Sequence, residues 1–197
     1  MPIPEIRFKH SWVYDDHWRA FYPKEKEWPS YKKLEGNIAR IEKEWGENGE
    51  SVLKEMSKIS GLKWQEKSID CYVVGRCTPF SFPLTIMTYK DHSIDYTVDV
   101  LTHELVHQLF CQGDNEKQSY KAWEYFHKKY KTEEFNTIIH IPVHAIHHHI
   151  FMKFFGEKRL KREMDSMSKF PDYKRAWDIV LEAGAENIIA EFKKRVA

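Results

Sequence analysis

Two β-prone runs, set into a chain that otherwise keeps helical period, restrict what this sequence can become. Ile69, Tyr72, Val73 and Val74 form the first run and Leu84-Thr85-Ile86-Met87-Thr88-Tyr89 the second. Both are rich in β-branched and aromatic residues, and turn-forming Gly75 and Thr78-Pro79 separate them. A small sheet over residues near 69–77 and 83–89 is therefore expected. Ile3, Ile6 and Phe8 supply a candidate strand to lie alongside.

Elsewhere apolar residues recur every three or four positions, the signature of one helix face. An aromatic loop through Trp12, Tyr14, Trp18 and Phe21 leads to Pro29-Ser30 and a helix carrying Leu34, Ile38, Ile41 and Trp45. Gly46 and Gly49 are expected to interrupt it, with a second helix on Val52, Leu53, Met56 and Ile59 that Gly61 ends. Val98, Leu101, Leu105, Val106 and Leu109 mark a further amphipathic helix ending near Gly113. Segments at about 116–130, from Ile141-Pro142 to Gly156, and beyond Pro171 complete a helical C-terminal half. The expectation is one α+β domain over 1–197, β-containing to about residue 92 and helical from about 93.

Composition removes several classes of function. Thirty-one Lys and Arg stand against 30 Asp and Glu, a net charge of +1. Such a balance gives no global field to gather nucleic acid or an anionic membrane surface. The basic stretches Lys158-Arg159-Leu160-Lys161-Arg162 and Lys193-Lys194-Arg195 are read as solvated helix faces. The start, Met1-Pro2-Ile3-Pro4-Glu5, lacks the basic and apolar regions of a secretory signal. No apolar run reaches the length of a membrane span. Three cysteines, Cys71, Cys77 and Cys111, fit a reducing compartment and small buried side chains. A cytoplasmic protein without nucleic-acid or membrane partners is expected, its oligomeric state left open.

The chemistry concentrates in Thr102-His103-Glu104-Leu105-Val106-His107. On a helix His103 and His107 lie about 40° apart, so two imidazoles one turn apart can share a tetrahedral Zn²⁺. Glu104, about 60° from His107, can reach a water at the metal without being a ligand. A second dense region follows: five of the 11 histidines fall between His140 and His149. His140, His144 and His148 recur at four-residue steps. His144, flanked by Val143 and Ala145, is the chosen third ligand and His148 the reserve. His140 is a candidate to bond a substrate carbonyl, and His147, His148 and His149 are expected at the surface.

Residues 68–150 resemble the zincin metallopeptidases, in which an active-site helix carrying His-Glu-x-x-His lies behind a small sheet. The resemblance implies a zinc-dependent hydrolase of peptide bonds, with His103 and His107 as ligands and Glu104 as general base and acid. It also implies that Leu84–Tyr89 acts as the edge strand pairing with an extended peptide or protein substrate, the equal alternative being an ordinary core strand without substrate contact. The metzincin extension needs Gly at 110 and His at 113, where this chain has Phe110 and Gly113. The gluzincin branch draws its third ligand from a Glu on a later helix. Of Glu116, Glu124, Glu133 and Glu134, Glu124 is best placed, but the histidine-dense helix makes His144 the preferred donor. Three neutral imidazoles leave the metal one open position, where it lowers the pKa of a water towards about 7. Asp95 and Asp99 either accept an imidazole N–H or simply favour the helix N-terminus.

Two other readings compete. Glu104-x-x-His107 and Glu124-x-x-His127 match the paired motif of di-iron carboxylate bundles. The β-prone runs, and a separation of only 20 residues, count against it. A non-catalytic zinc-binding interaction module would close the site with four protein donors, for instance His103, His107, His144 and His148.

Overall fold

The computed structural model describes residues 3–88 and 92–197; Tyr89, the end of the second β-prone run, lies outside them. The fold is α+β, with a four-stranded mixed sheet and eight α-helices among the described residues. The chain divides into two compact units: one runs up to residue 50 and includes 66–108, the other comprises 51–65 and 109–197.

In the first unit β1 (Glu5–Lys9) pairs in parallel with β2 (Ser68–Val74), from Glu5 opposite Ser68 to Lys9 opposite Tyr72. The other side of β2 pairs in parallel with β4 (Leu84–Met87), and β3 (Phe80–Ser81) adds antiparallel to β4. The strand order is β1-β2-β4-β3. Parallel neighbours need long crossovers, and α1 (Trp12–Phe21) and α2 (Tyr31–Ser60) are the one between β1 and β2. Ile69, Cys71 and Val73 of central β2 are buried at alternate positions, as a pleated strand requires.

The aromatic stretch from Trp12 is a helix, not a loop. Ser11 caps it, its hydroxyl accepting from the Tyr14 amide at 3.4 Å. Asp15 on that helix ties the unit together. Its carboxylate accepts the Gly75 amide at 2.6 Å and the Trp28 indole N–H at 2.8 Å. Gly75 has no side chain for a steric reason: a Cβ there would fall 2.7 Å from the Trp28 ring. Asp15→Ala strands two donors, so urea denaturation is expected to show a loss of about 2–4 kcal/mol. Asp15→Asn, which keeps one acceptor, is expected to lose less.

α2 is continuous over 30 residues, so Gly46 and Gly49 do not break it. A Cβ at Gly49 would fall 2.3 Å from the Trp45 ring. The glycine lets that indole lie against the helix, and Trp45 is buried. Gly61, at φ 81°, ends the helix where expected.

α3 (Ile94–Cys111) buries Val98, Leu101, Leu105, Val106 and Leu109, the predicted apolar set. α4 (Asp114–Lys129) follows directly. α5 (Phe135–Ile150) begins six residues before the expected Ile141, and Pro142 lies inside it. A π-helical turn (Phe151–Phe155) carries it to Gly156, and α6 (Glu157–Met167), α7 (Pro171–Ala183) and α8 (Ala185–Val196) complete the second unit. Pro171 and Gly184 stand at the breaks expected for them. α5 is the hub of this unit, touching α4, α7 and α8. No helix among the described residues is long and apolar enough to cross a membrane.

Glu55 clamps this helical unit through His149 at 3.0 Å and Lys153 at 2.7 Å. Burial raises its pKa, but the Lys153 and His149 hydrogen bonds outweigh this and leave it below the ordinary 4.5. A carboxylate depressed on folding stabilises above its unfolded pKa, and that contribution is lost as pH falls through the folded value. Glu55→Gln is therefore expected to reduce stability at pH 7. The deficit should close towards pH 3 in a denaturation series.

Candidate metal centre

The motif occupies the middle of α3, where helical spacing brings the two imidazoles together. His103 Nε2 and His107 Nε2 lie 3.2 Å apart, with ring centroids 5.0 Å apart at 59°. Two nitrogens bound to one tetrahedral zinc at 2.0–2.1 Å sit about 3.3 Å from each other. The pair therefore has the spacing of ligands to a single ion. His103 is buried, His107 half-buried.

Glu104, between them in sequence, is 8% exposed. Burial raises its pKa to about 7, against the Ser81 hydroxyl, which donates to its carboxylate at 2.8 Å. Gln108, one turn on, donates its side-chain amide to the Ser81 carbonyl. Edge strand β3 is thus pinned to α3 at Ser81. Gln108 shares Glu104's face by its four-residue spacing, a signal present in the sequence. Ser81 has no such signal, because only the sheet brings it there.

The expected edge strand is not at the edge. β4 has β2 on one side and β3 on the other, where Thr85 and Leu84 pair with Phe80 and Ser81. The short connection through Phe82-Pro83 folds β3 back over it. Asp99 is fully buried and Asp95 half-buried. Complementing the helix terminus does not require burial of the kind Asp99 shows.

The histidine-dense segment lies in α5, in the helical unit. His140 is 4% exposed, and its Nδ1 bonds the Asn136 carbonyl at 2.8 Å. That acceptor fixes the proton on Nδ1 and places the ring lone pair on Nε2. Burial lowers the His140 pKa, against the hydrogen bond to the Asn136 carbonyl. His144 is fully buried, its ring stacked on Trp177 at 4.3 Å and 13°. His147 is also fully buried, edge-on to Phe151, which corrects its surface expectation. The reason is that α5 is surrounded by helices and has little free circumference. His148 and His149 are half-buried.

The acidic candidates lie elsewhere. Glu116, Glu124 and Glu134 are exposed, and Glu133 pairs with Arg175 at 2.8 Å. Glu124 lines an open groove, the reverse of a carboxylate in the core of a di-metal bundle. Glu163, overlooked in the sequence because it adjoins a charged run, is 2% exposed on α6. In that run Lys158 and Lys161 are exposed as expected. Cys71 and Cys77 are buried, but Cys111 is exposed at the end of α3, correcting its buried expectation. Compared with known proteins, the chain matches no family model, no curated protein and no solved structure.

Proposed function

We propose that this protein is a zinc-dependent hydrolase, a metallopeptidase of zincin-like fold acting on peptide or protein substrates. The observation that carries the reading is the 3.2 Å separation of the His103 and His107 Nε2 atoms beside buried Glu104. His103 and His107 are the proposed zinc ligands on α3, and the third is an α5 imidazole. The Asn136 carbonyl, which aims a lone pair from His140 Nε2, favours His140. His144 remains the alternative.

A bound zinc supplies a Lewis acid that polarises a carbonyl and acidifies water. Glu104 accepts the proton of the attacking water and returns it to the leaving amine. The Ser81 hydroxyl orients that carboxylate. Gln108 keeps Ser81 in place, so edge strand β3 and the base are held as one piece.

The test is hydrolysis of unstructured peptides by the pure protein. Activity is expected to disappear on chelation and to return with zinc. Zinc-loaded protein without hydrolysis would favour the non-catalytic module instead.

A further inference from the structure

Helix α1 lies across one face of the sheet, and its aromatic row runs past the last strand. Tyr72, Thr85 and Phe80 stand opposite one another on β2, β4 and β3, so their side chains share a face. Tyr14 sits over the inner part of that row. Its ring meets Tyr72 edge-on at 5.5 Å, and its hydroxyl lies 3.1 Å from that of Thr85. Trp18, one turn on, lies against Phe80 of β3 at 5.8 Å. The helix therefore points outward across the strands, and Phe21 follows Trp18 at 5.8 Å.

That direction carries Phe21 to where no strand remains among the described residues, since β3 ends the sheet. Three residues of helix advance about 4.5 Å, and neighbouring strands lie about 4.8 Å apart. Phe21 thus stands over the position that one more strand, added to β3, would occupy. It is 64% exposed there, and Trp18 and Phe80 are half-buried, so one side of this ring cluster is open. A single open ring is ordinary, but three in contact at a sheet edge mark an interaction surface.

The same edge leads to Glu104. Ser81 follows Phe80, and side chains alternate between faces along a strand. The Ser81 hydroxyl accordingly donates to Glu104 on the other face, at 2.8 Å. An extended chain laid along β3 would present alternate side chains to Glu104 and to the rings. The residue that meets the rings is then a sequence neighbour of one directed at the proposed base. Aromatic groups pair edge-on or offset with another ring, whereas a methyl would leave the space beside Trp18 and Phe21 open.

We propose that Trp18, Phe21 and Phe80 form a side-chain subsite for peptide substrates carrying an aromatic or other bulky apolar residue within about two positions of the bond cleaved. The cleaved bond presupposes the hydrolase reading, whereas binding by the rings can be measured without hydrolysis.

An extended peptide, varied at each interior position in turn through Ala, Leu, Phe, Trp, Arg and Glu, is titrated into the full-length protein by calorimetry. The same set is assayed for cleavage. Phe and Trp are expected to lower Kd about tenfold relative to Ala at one position, since a ring contact of this kind is worth about one decade. Trp18→Ala and Phe21→Ala should each flatten that preference. Because Phe21 is exposed, circular dichroism should report an unchanged fold for its variant. Glu104→Gln should keep the preference. Binding indifferent to the side chain, binding that favours Arg or Glu, or no binding by any peptide would overturn the subsite. So would a preference that survives in both ring variants. Cleavage without preference would sink the subsite alone, and preferential binding without cleavage would sink the hydrolase reading alone.

Discussion

Glu104→Gln is expected to keep its metal and lose hydrolysis by about 10²–10⁴-fold, the usual size of a general acid–base contribution. Glutamine has nearly the volume of glutamate, and its amide oxygen can still accept the Ser81 hydroxyl that bonds Glu104 at 2.8 Å. The fold and the ligand spacing should therefore survive. What is lost is the ability to take a proton from water and return it. The measurement pairs metal content by mass spectrometry with initial rates on a peptide mixture, against wild type and a chelated control. An unchanged rate would remove Glu104 from the mechanism. Loss of metal together with rate would instead make it a structural support of the site.

His103→Ala and His107→Ala are expected to reduce zinc content from about one per chain to near none. With one imidazole gone, the 3.2 Å pair that matches two ligands of one ion no longer exists. A ligand that binds only the folded state stabilises it by about 2.7 kcal/mol at a concentration 100 times its Kd. Zinc should accordingly raise the melting temperature of wild type and not that of either variant. The same titration separates the α5 donors. If His140 is the third ligand, His140→Ala abolishes the zinc-induced shift while His144→Ala lowers the baseline stability by removing a ring stacked on Trp177. Full zinc content in both α3 variants would overturn the proposed centre.

The helix carrying the motif was legible because its chemistry and its period coincide. The apolar residues of α3 identify the element, and the four-residue step from His103 to His107 places both rings on one face before any tertiary contact is considered. Glu104's position followed from the same period. β2 and β4 were legible from their β-branched content, whereas Phe80–Ser81 carried no such signal, and Gly61, Pro171 and Gly184 marked helix ends through their own backbone limits. Where local signals misled, packing overrode them. Gly46 and Gly49 would break an isolated helix, but Trp45 lies across the space the missing Cβ leaves at Gly49. Pro142 suggested a helix start, yet α5 begins at Phe135 and carries the proline within it.

The sequence alone determined which helical face presents His103, Glu104 and His107, because helical geometry is set by neighbours in the chain. Only the tertiary structure decided that β3 covers the edge of β4, that Ser81 holds Glu104, that His147 and Glu163 are buried, and that Cys111 is exposed. Those outcomes depend on what other elements do to a residue's solvent and hydrogen-bond partners, and no local period encodes that.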